Sequence, residues 1–299
     1  MRGPSRLVAL VALGALLTAG CAGTGDAEDR VTPSTAPTTV STEAGPAVST
    51  EAGPAVSTAA GAAVPVWSVG ATPAGDRLFR QVLALRDGGP DGAPPDPVGT
   101  AVTAVLEGRT GDPRLHTDWP EGVRLRTPVT EGGGVLTVDL AVPGSPPGPA
   151  GLALQQLVYT VQSAAGSSDP VRILVGGEPA ERLLGEPVDR PLVAAEPTAV
   201  RALVDLDEPT QGAVVGSPVV VAGEAAVFEA TLLWEVRDAG GRVVRTGVAS
   251  TAQGQRFAPF RFEVSLVPGS YTLVVSEDDP SGGAGRAPTT DSAQITVRR

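Results

Sequence analysis

Few residues in this sequence have side chains that could carry out chemistry. Among its 299 residues there is one histidine, His116, and one cysteine, Cys21. A single histidine excludes zinc sites built from two histidines, including the HExxH pattern, but it could still act alone as an acid or a base. Because His116 lies in GDPRLHTDWPEG (111–122), a stretch rich in proline and aspartate, we interpret it as an exposed or structural residue.

Other motifs typical of catalysis are also missing from the sequence. All 22 basic residues are arginine, and there is no lysine, so a Schiff base or a Ser–Lys dyad is impossible. No G-x-S-x-G motif occurs. We therefore predict that the protein is not an enzyme and that it has no catalytic, cofactor-binding or metal-binding residues. The alternative is a hydrolase of cell-wall polymers, which would need two carboxylates facing each other across a cleft.

The acidic residues are the most abundant charged groups. The net charge is −11, and no basic tract offsets it, which excludes nucleic acid as a partner because that affinity comes mainly from phosphate neutralisation. The densest acidic stretch, SEDDPSGGAGRAPTTD (276–291), does not have the D-x-D-x-D-G spacing of a calcium loop. We interpret it as the solvated tip of a hairpin, with a divalent-cation site as the alternative.

Cys21 follows a segment typical of an export signal. Arg2 and Arg6 precede an apolar run over residues 7–17, and small residues lead up to the cysteine. The run is shorter than the about 20 apolar residues that span a bilayer.

The stretch LLTAGCAG around Cys21 resembles a bacterial lipobox, in which the thiol receives a diacylglycerol before the signal is removed. This resemblance implies that residues 1–20 are a lipoprotein signal peptide and that Cys21 is lipidated. It also implies an acyl chain, such as palmitate, that anchors the protein to the extracytoplasmic face of the cell membrane. The alternative is a secreted protein with an incidental cysteine.

A low-complexity segment follows the cysteine. The unit STEAGPAV occurs twice unchanged over residues 41–56 and then once in degraded form. Segments of Ser, Thr, Pro, Ala and Gly bury too little apolar surface to offset the entropy of ordering them. We predict a disordered linker over residues 21–63, with a length of about 35 Å as a flexible coil. The alternative is a repeat whose length is not selected.

Residues 64–192 have the pattern of a small α+β domain. Asp96–Pro97 is a suitable start for a helix that closes at Gly108. In a second helix, four apolar residues form one stripe, and Gln155, Tyr159 and Gln162 form the neighbouring stripe. The stretch DRLFRQVLALR fits either a helix or a strand. The predicted strands are 64–70, 134–142 and 171–177, the helices are 96–108 and 148–166, the ambiguous stretch is 76–86, and the apolar stripe is Leu154, Leu157, Val158 and Val161.

Residues 200–299 have the strand pattern of an immunoglobulin-like sandwich without a disulfide. In VFEATLLWEVRD (227–238), alternate residues are apolar, as in a half-buried strand. We predict that Trp234 in this strand is a core residue rather than a ligand platform, and that Tyr271 is a corner tyrosine whose hydroxyl bonds to the backbone. The alternating apolar residues are Phe228, Ala230, Leu232, Trp234 and Val236, and the other predicted strands are 217–225, 242–250, 260–266, 270–277 and 293–299.

Both segments resemble known domain families. VWSVG, GDPRLHTDWPEG, VLTVDL, LALQQLVYTVQ and VRILVGGEPAERLLG occur in the order found in the GerMN domain of sporulation and spore-germination proteins and of actinobacterial envelope lipoproteins. DEPTQGAVVGSPVVVAGEAAVFEATLLWEVRDAGG resembles the Gmad-type immunoglobulin-like domain of bacterial spore germination, which often follows GerMN. The first resemblance implies a fold akin to the ring-building motifs of envelope complexes, and no catalytic residues.

These observations predict a non-catalytic envelope lipoprotein whose two domains bind envelope proteins or cell-wall polymer. Exposed edge strands of either domain are the expected means of pairing with a partner. The main alternative is a ligand-sensing accessory lipoprotein for a membrane receptor or transporter, which would need a sizeable pocket around residues such as Trp119 and Tyr159.

Overall fold

The computed structural model describes residues 63–84, 96–144, 150–279 and 282–299. All of them belong to one compact unit, Val56–Arg299. An α+β domain is followed by a β-sandwich, which confirms the predicted fold class. The predicted signal peptide, Cys21 and the linker up to residue 62 lie outside the described residues.

The first domain contains two antiparallel hairpins, a mixed five-stranded sheet and two helices. In the mixed sheet the order is β3-β5-β6-β7, with β4 also on β5, and β5 runs parallel to β6. The helices α1 and α2 pack on each other and on β1, and they close a core of aliphatic side chains. The elements are β1 (Ala63–Thr72), β2 (Gly75–Ala84), α1 (Pro97–Leu106), β3 (Arg124–Leu125), β4 (Thr130–Gly132), β5 (Val135–Ala141), α2 (Ala153–Ala165), β6 (Val171–Val175), β7 (Glu178–Pro179), β8 (Arg182–Leu183) and β9 (Glu186–Pro187).

Helix α1 begins and ends close to its predicted bounds, whereas α2 ends as predicted but begins at Ala153, later than the predicted start at residue 148. The Asp96 side chain accepts a hydrogen bond from the Gly99 N–H at 2.8 Å and caps α1, with Pro97 in the first turn. Gly166 ends α2 in the left-handed conformation, φ 63°. All four residues of the predicted apolar stripe of α2 are buried, namely Leu154, Leu157, Val158 and Val161.

The ambiguous stretch 76–86 is a strand as far as the structure describes it. β2 pairs with β1 along its whole length. Its successive residues Leu78 and Phe79 are both buried, although they point to opposite faces. Because both faces are covered at this point, the simple alternation of a half-buried strand is lost, and the sequence pattern could not distinguish strand from helix.

The second domain is a sandwich of a three-stranded sheet, β10-β12-β15, and a five-stranded sheet, β11-β17-β16-β13-β14. The side chains between the two sheets form a separate core. The short helix α3 (Pro197–Val200) precedes the strands of this domain. The strands are β10 (Val204–Glu208), β11 (Ala213–Val215), β12 (Val219–Ala225), β13 (Thr231–Asp238), β14 (Val243–Ser250), β15 (Ala258–Val264), β16 (Gly269–Glu277) and β17 (Thr290–Val297).

The predicted strand over 227–238 is too long at its start. Residues Phe228–Ala230 form a 3-10 turn in which Glu229 has a φ of 51°, so the alternation does not extend to them. The Phe228 side chain is 53% exposed rather than in the core. The prediction of a shared face holds for Leu232, Trp234 and Val236, which follow the turn.

Two aromatic residues have the positions that their sequence context predicts. Trp234 stacks on Phe262 of the opposite sheet, with 5.2 Å between ring centroids, and packs against the core at its rim as a half-buried side chain. The Tyr271 hydroxyl donates to the Val267 carbonyl at 3.0 Å, which confirms the corner tyrosine. Trp234 is therefore less buried than predicted, but it serves packing.

Candidate functional site at the domain junction

The segment between the two domains is fixed to helix α2. The Gln155 side chain bonds to the Val193 carbonyl at 3.3 Å and to the Ala195 N–H at 2.8 Å. The Tyr159 hydroxyl donates to the Ala195 carbonyl at 2.6 Å, and burial raises the pKa of this phenol. The polar stripe of α2 thus holds residues 193–195, which we call the connector.

Arg201 lies at the centre of the contact between the domains and is nearly fully buried. Its guanidinium lies between the ring of Trp67, at 4.6 Å, and the ring of Phe257, at 3.7 Å. It also donates to Glu224 at 2.9 Å and to Asp205 at 3.3 Å. A nearly buried cation held between two aromatic faces and two acidic side chains gives a contact of fixed geometry.

Asp205 is the most buried acidic residue of the junction, with no exposed surface. Its carboxylate accepts a hydrogen bond from the Arg80 backbone N–H at 2.8 Å. Burial raises the pKa of Asp205 to about 8, and the nearby Arg201 opposes this rise. The Arg80 side chain continues the contact, since its Nε donates to Asp207 at 2.9 Å.

A second group of polar contacts lies beside the first. Arg114 of the first domain donates to the Ser292 hydroxyl and carbonyl, each at 2.6 Å, and it is paired with Asp112. Asp291 accepts hydrogen bonds from the N–H groups of Leu206, at 2.9 Å, and Ser292, at 2.7 Å. Burial raises the pKa of Asp291 to about 6.

A cleft of about 160 Å³ opens between these two groups of contacts, with Phe79, Asp207, Gln211 and Asp291 in its lining. Ligand pockets usually have volumes of about 300–1,000 Å³, so this cleft is small. Three aspartates line the cleft, and each has a protein partner: Asp207 is bound to Arg80, Asp112 to Arg114, and Asp291 to backbone N–H groups. This arrangement favours a structural role for them over catalysis.

The ligand-sensing alternative expects a pocket around Trp119 and Tyr159, and neither side chain faces open space. The side chains of Trp119 and Tyr159 are both buried in packed clusters. His116 has a 53% exposed side chain, 3.4 Å from Asp118, and its backbone pairs with Val69. Its position agrees with an exposed residue that serves the backbone structure.

The acidic stretch 276–291 connects β16 to β17. Glu277 bonds there to Arg286 and to the Thr289 N–H. Across the described ranges, no three His, Cys, Asp or Glu side chains come together as metal ligands would. None of the helices in the same ranges is long and apolar enough to span a bilayer.

Comparison with family models assigns both domains. Residues 73–181 match the model described as sporulation and spore germination. Residues 203–284 match the model described as immunoglobulin-like domain of bacterial spore germination. The chain carries both of these germination domains. We call them the GerMN-type domain and the Gmad-type domain, and neither family description names an enzymatic activity.

The solved structures that resemble this chain do so at low sequence identity. One contains the tandem GerMN domains of the sporulation protein GerM from Bacillus subtilis, with 16% identity and a TM-score of 0.36, and the match covers 48% of this chain and 50% of that one. This chain therefore spans about half of that structure. A search of curated proteins finds no significant match.

Two further structures match parts of the chain. A putative lipoprotein from Clostridium perfringens matches with 13% identity and a TM-score of 0.29, over 45% of this chain and 88% of that one. CopC from Methylosinus trichosporium OB3b matches with 19% identity and a TM-score of 0.24, over 31% of this chain and 92% of that one.

The charged residues that join the GerMN-type and Gmad-type domains were not identified from the sequence. In RALVDLDEP (201–209), Asp205 and Asp207 alternate with apolar residues, a pattern that predicts a solvent-facing acidic side. That side of β10 instead packs against β2 of the GerMN-type domain. The sequence offers one signal, the two aspartates that follow Arg201 in this strand. This signal does not show that the GerMN-type domain covers them.

Proposed function

We propose that this chain is a non-catalytic, lipid-anchored protein of the cell envelope whose two domains bind partner proteins or cell-wall polymer as one rigid unit. The observation that carries the proposal is the junction: the connector is bonded to α2, and Arg201 and Asp205 are buried between the domains. A fixed arrangement of two domains presents a surface of constant shape, which lowers the entropic cost of binding.

Two further observations support this function. The matched families belong to sporulation and spore germination, and the sequence around Cys21 has the pattern of a lipidated export signal. The carboxylates of the junction cleft are occupied by protein donors, which disfavours the hydrolase alternative.

Membrane fractionation of cells tests the anchor. The unchanged chain should be found with the membranes and carry a diacylglycerol on Cys21 by mass spectrometry, whereas Cys21→Ala should release it. Thr24→Ala, a substitution three residues further along, should leave the membrane fraction unchanged. An unmodified thiol on a chain that is free in the medium would contradict the proposal.

Incubation with purified peptidoglycan tests the absence of catalysis. No soluble fragments should be released by the purified chain. Release that disappears when a single Asp or Glu is replaced would favour the hydrolase instead.

A further inference from the structure

Strand β14 is an open edge of the Gmad-type domain. Within the described residues it pairs with β13 on one side and with no strand on the other. Outward-facing N–H and C=O groups of such a strand can pair with another extended chain. A register irregularity opposite Val236 and Arg237 disturbs the start of β14, but Thr246–Ser250 remains a regular edge without proline.

An apolar patch lies beside this edge on the outer face of the sheet. Leu233 and Val248 face each other across β13 and β14, with 37% and 65% of their surfaces exposed. Together with Val274 of β16 they line an open groove of about 500 Å³. Exposed aliphatic side chains that are clustered in this way gain free energy when a partner covers them.

The chain segment that forms and follows this edge is basic, although the whole chain is acidic. Residues 239–262 contain four arginines and no Asp or Glu, in a chain with a net charge of −11. Arg242 is paired with Asp238 at 2.9 Å. In contrast, Arg245 and Arg256 are exposed and have no carboxylate partner among the described residues.

Because of the pleat of β14, the apolar patch and Arg245 lie on opposite faces of the strand. Val248 lies opposite Leu233 on the outer face, whereas Arg245 lies opposite Val236, whose side chain points to the core. An added strand would therefore meet Val248 with one set of alternate side chains and Arg245 with the other.

We propose that β14 binds an extended acidic segment of a partner protein as an added strand, in which apolar and acidic residues alternate. The apolar side chains cover Leu233 and Val248, and the carboxylates meet Arg245. A second copy of this chain is a poorer occupant, because two basic edges would face each other and like charges across strands are destabilising. This inference rests on the proposed function and specifies the partner.

Peptide binding to the full chain in detergent tests the inference. The probes are a synthetic octapeptide of alternating valine and glutamate and its counterpart with lysine in place of glutamate. The glutamate peptide should bind about tenfold more tightly, and it should slow amide hydrogen exchange in Val243–Ser250. Equal binding of both peptides, or binding without slower exchange in β14, would overturn the inference.

Matched variants show whether the edge itself is responsible. Arg245→Glu with Arg256→Glu should remove the preference for the glutamate peptide. Arg124→Glu with Arg298→Glu makes the same change of charge at exposed arginines elsewhere and should preserve it. Strand addition at β14 would be contradicted if the double variant at Arg245 and Arg256 still preferred the glutamate peptide. It would also be contradicted if the control variant at Arg124 and Arg298 lost that preference.

A second comparison tests the apolar patch. Val248→Glu should weaken binding of the glutamate peptide, whereas Val267→Glu, at a turn residue that is 72% exposed, should not. Polyphosphate, an anion without peptide groups, should leave amide exchange in β14 unchanged, and slower exchange in its presence would indicate a simple polyanion site.

Light scattering tests whether a second copy of this chain is the occupant. A dimer that disappears in Arg245→Glu would establish a second copy and overturn the inference. These results do not depend on Cys21, so failure here is distinct from failure of the anchor.

Discussion

The backbone N–H of Arg80 donates a hydrogen bond to the carboxylate of Asp205 across the domain junction, at 2.8 Å. The bond joins β2 of the GerMN-type domain to β10 of the Gmad-type domain. Since Asp205 has no exposed surface, water cannot replace either partner. The bond therefore stabilises the relative position of the two domains as well as the fold of each.

Replacement of Asp205 should show how much its hydrogen-bond acceptor contributes to stability. Asp205→Ala leaves the Arg80 N–H and part of Arg201 without their acceptor, and we expect a loss of about 3 kcal/mol in the free energy of unfolding. At pH 6 the pKa of about 8 keeps Asp205 mostly neutral. Asp205→Asn keeps the shape and one acceptor, so it should cost less than about 1 kcal/mol. Urea unfolding of both variants measures the difference, and equal losses would contradict the assignment.

The pH dependence of stability should reveal the same carboxyl group. Its pKa in the folded chain, about 8, is above the ordinary value of 3.8, so the folded chain holds the proton more tightly than the unfolded chain. Its contribution to stability is complete below pH 3.8 and is lost as the pH rises through 8. The slope reaches at most about 1.4 kcal/mol per pH unit.

Asp205→Asn is the control for this titration. The difference in unfolding free energy between the natural chain and the variant should fall between pH 4 and 8 and be flat above that range. Asp291, whose pKa burial raises to about 6, is present in both proteins, so its own titration affects both. A constant difference over the whole range would show that Asp205 does not titrate there.

The connector should loosen when the hydroxyl that holds it is removed. Tyr159→Phe deletes the bond to Ala195, at a cost of about 1 kcal/mol, and should speed amide exchange in the connector, residues 193–195. Tyr271→Phe deletes an equivalent bond to Val267 within the Gmad-type domain. It should lower the melting temperature but leave exchange in the connector unchanged. Equal effects of both variants on the connector would contradict the role of Tyr159.

Gly247 should be intolerant of a side chain. A Cβ at this position would lie 2.3 Å from the Trp234 ring, because the indole packs directly on the backbone of β14. Gly247→Ala should therefore destabilise the chain by about 1–3 kcal/mol. Gly216→Ala, where a Cβ would meet nothing within 4 Å, is the matched control and should change stability by less than about 0.5 kcal/mol. Thermal unfolding of the two variants compares them.

The local elements could be predicted from the sequence where one face of an element is buried and the other is solvated. The cap at Asp96 and the stripe from Leu154 to Val161 are examples, because their patterns depend only on neighbouring residues. The corner tyrosine could also be predicted, since Tyr271 reaches a carbonyl only four residues away.

The junction could not be predicted because it depends on contacts between residues far apart in the sequence. Arg80 and Asp205 are separated by 125 positions, and the alternation of Asp205 and Asp207 with apolar residues is that of a solvent-facing strand side. Contacts with distant residues also explain why β2 could not be distinguished from a helix, since Leu78 and Phe79, on opposite faces of the strand, are both buried. Only the position of the second domain against the first makes Arg80 and Asp205 structural.

A rigid unit of the GerMN-type and Gmad-type domains is what the proposed binding function requires. Residual dipolar couplings of backbone N–H groups in the full chain, in a weakly aligning medium, test it most directly. We expect couplings from the described residues of the GerMN-type domain and those of the Gmad-type domain to fit one common alignment tensor. Two tensors of different magnitude or orientation, in the natural chain at pH 6, would contradict it.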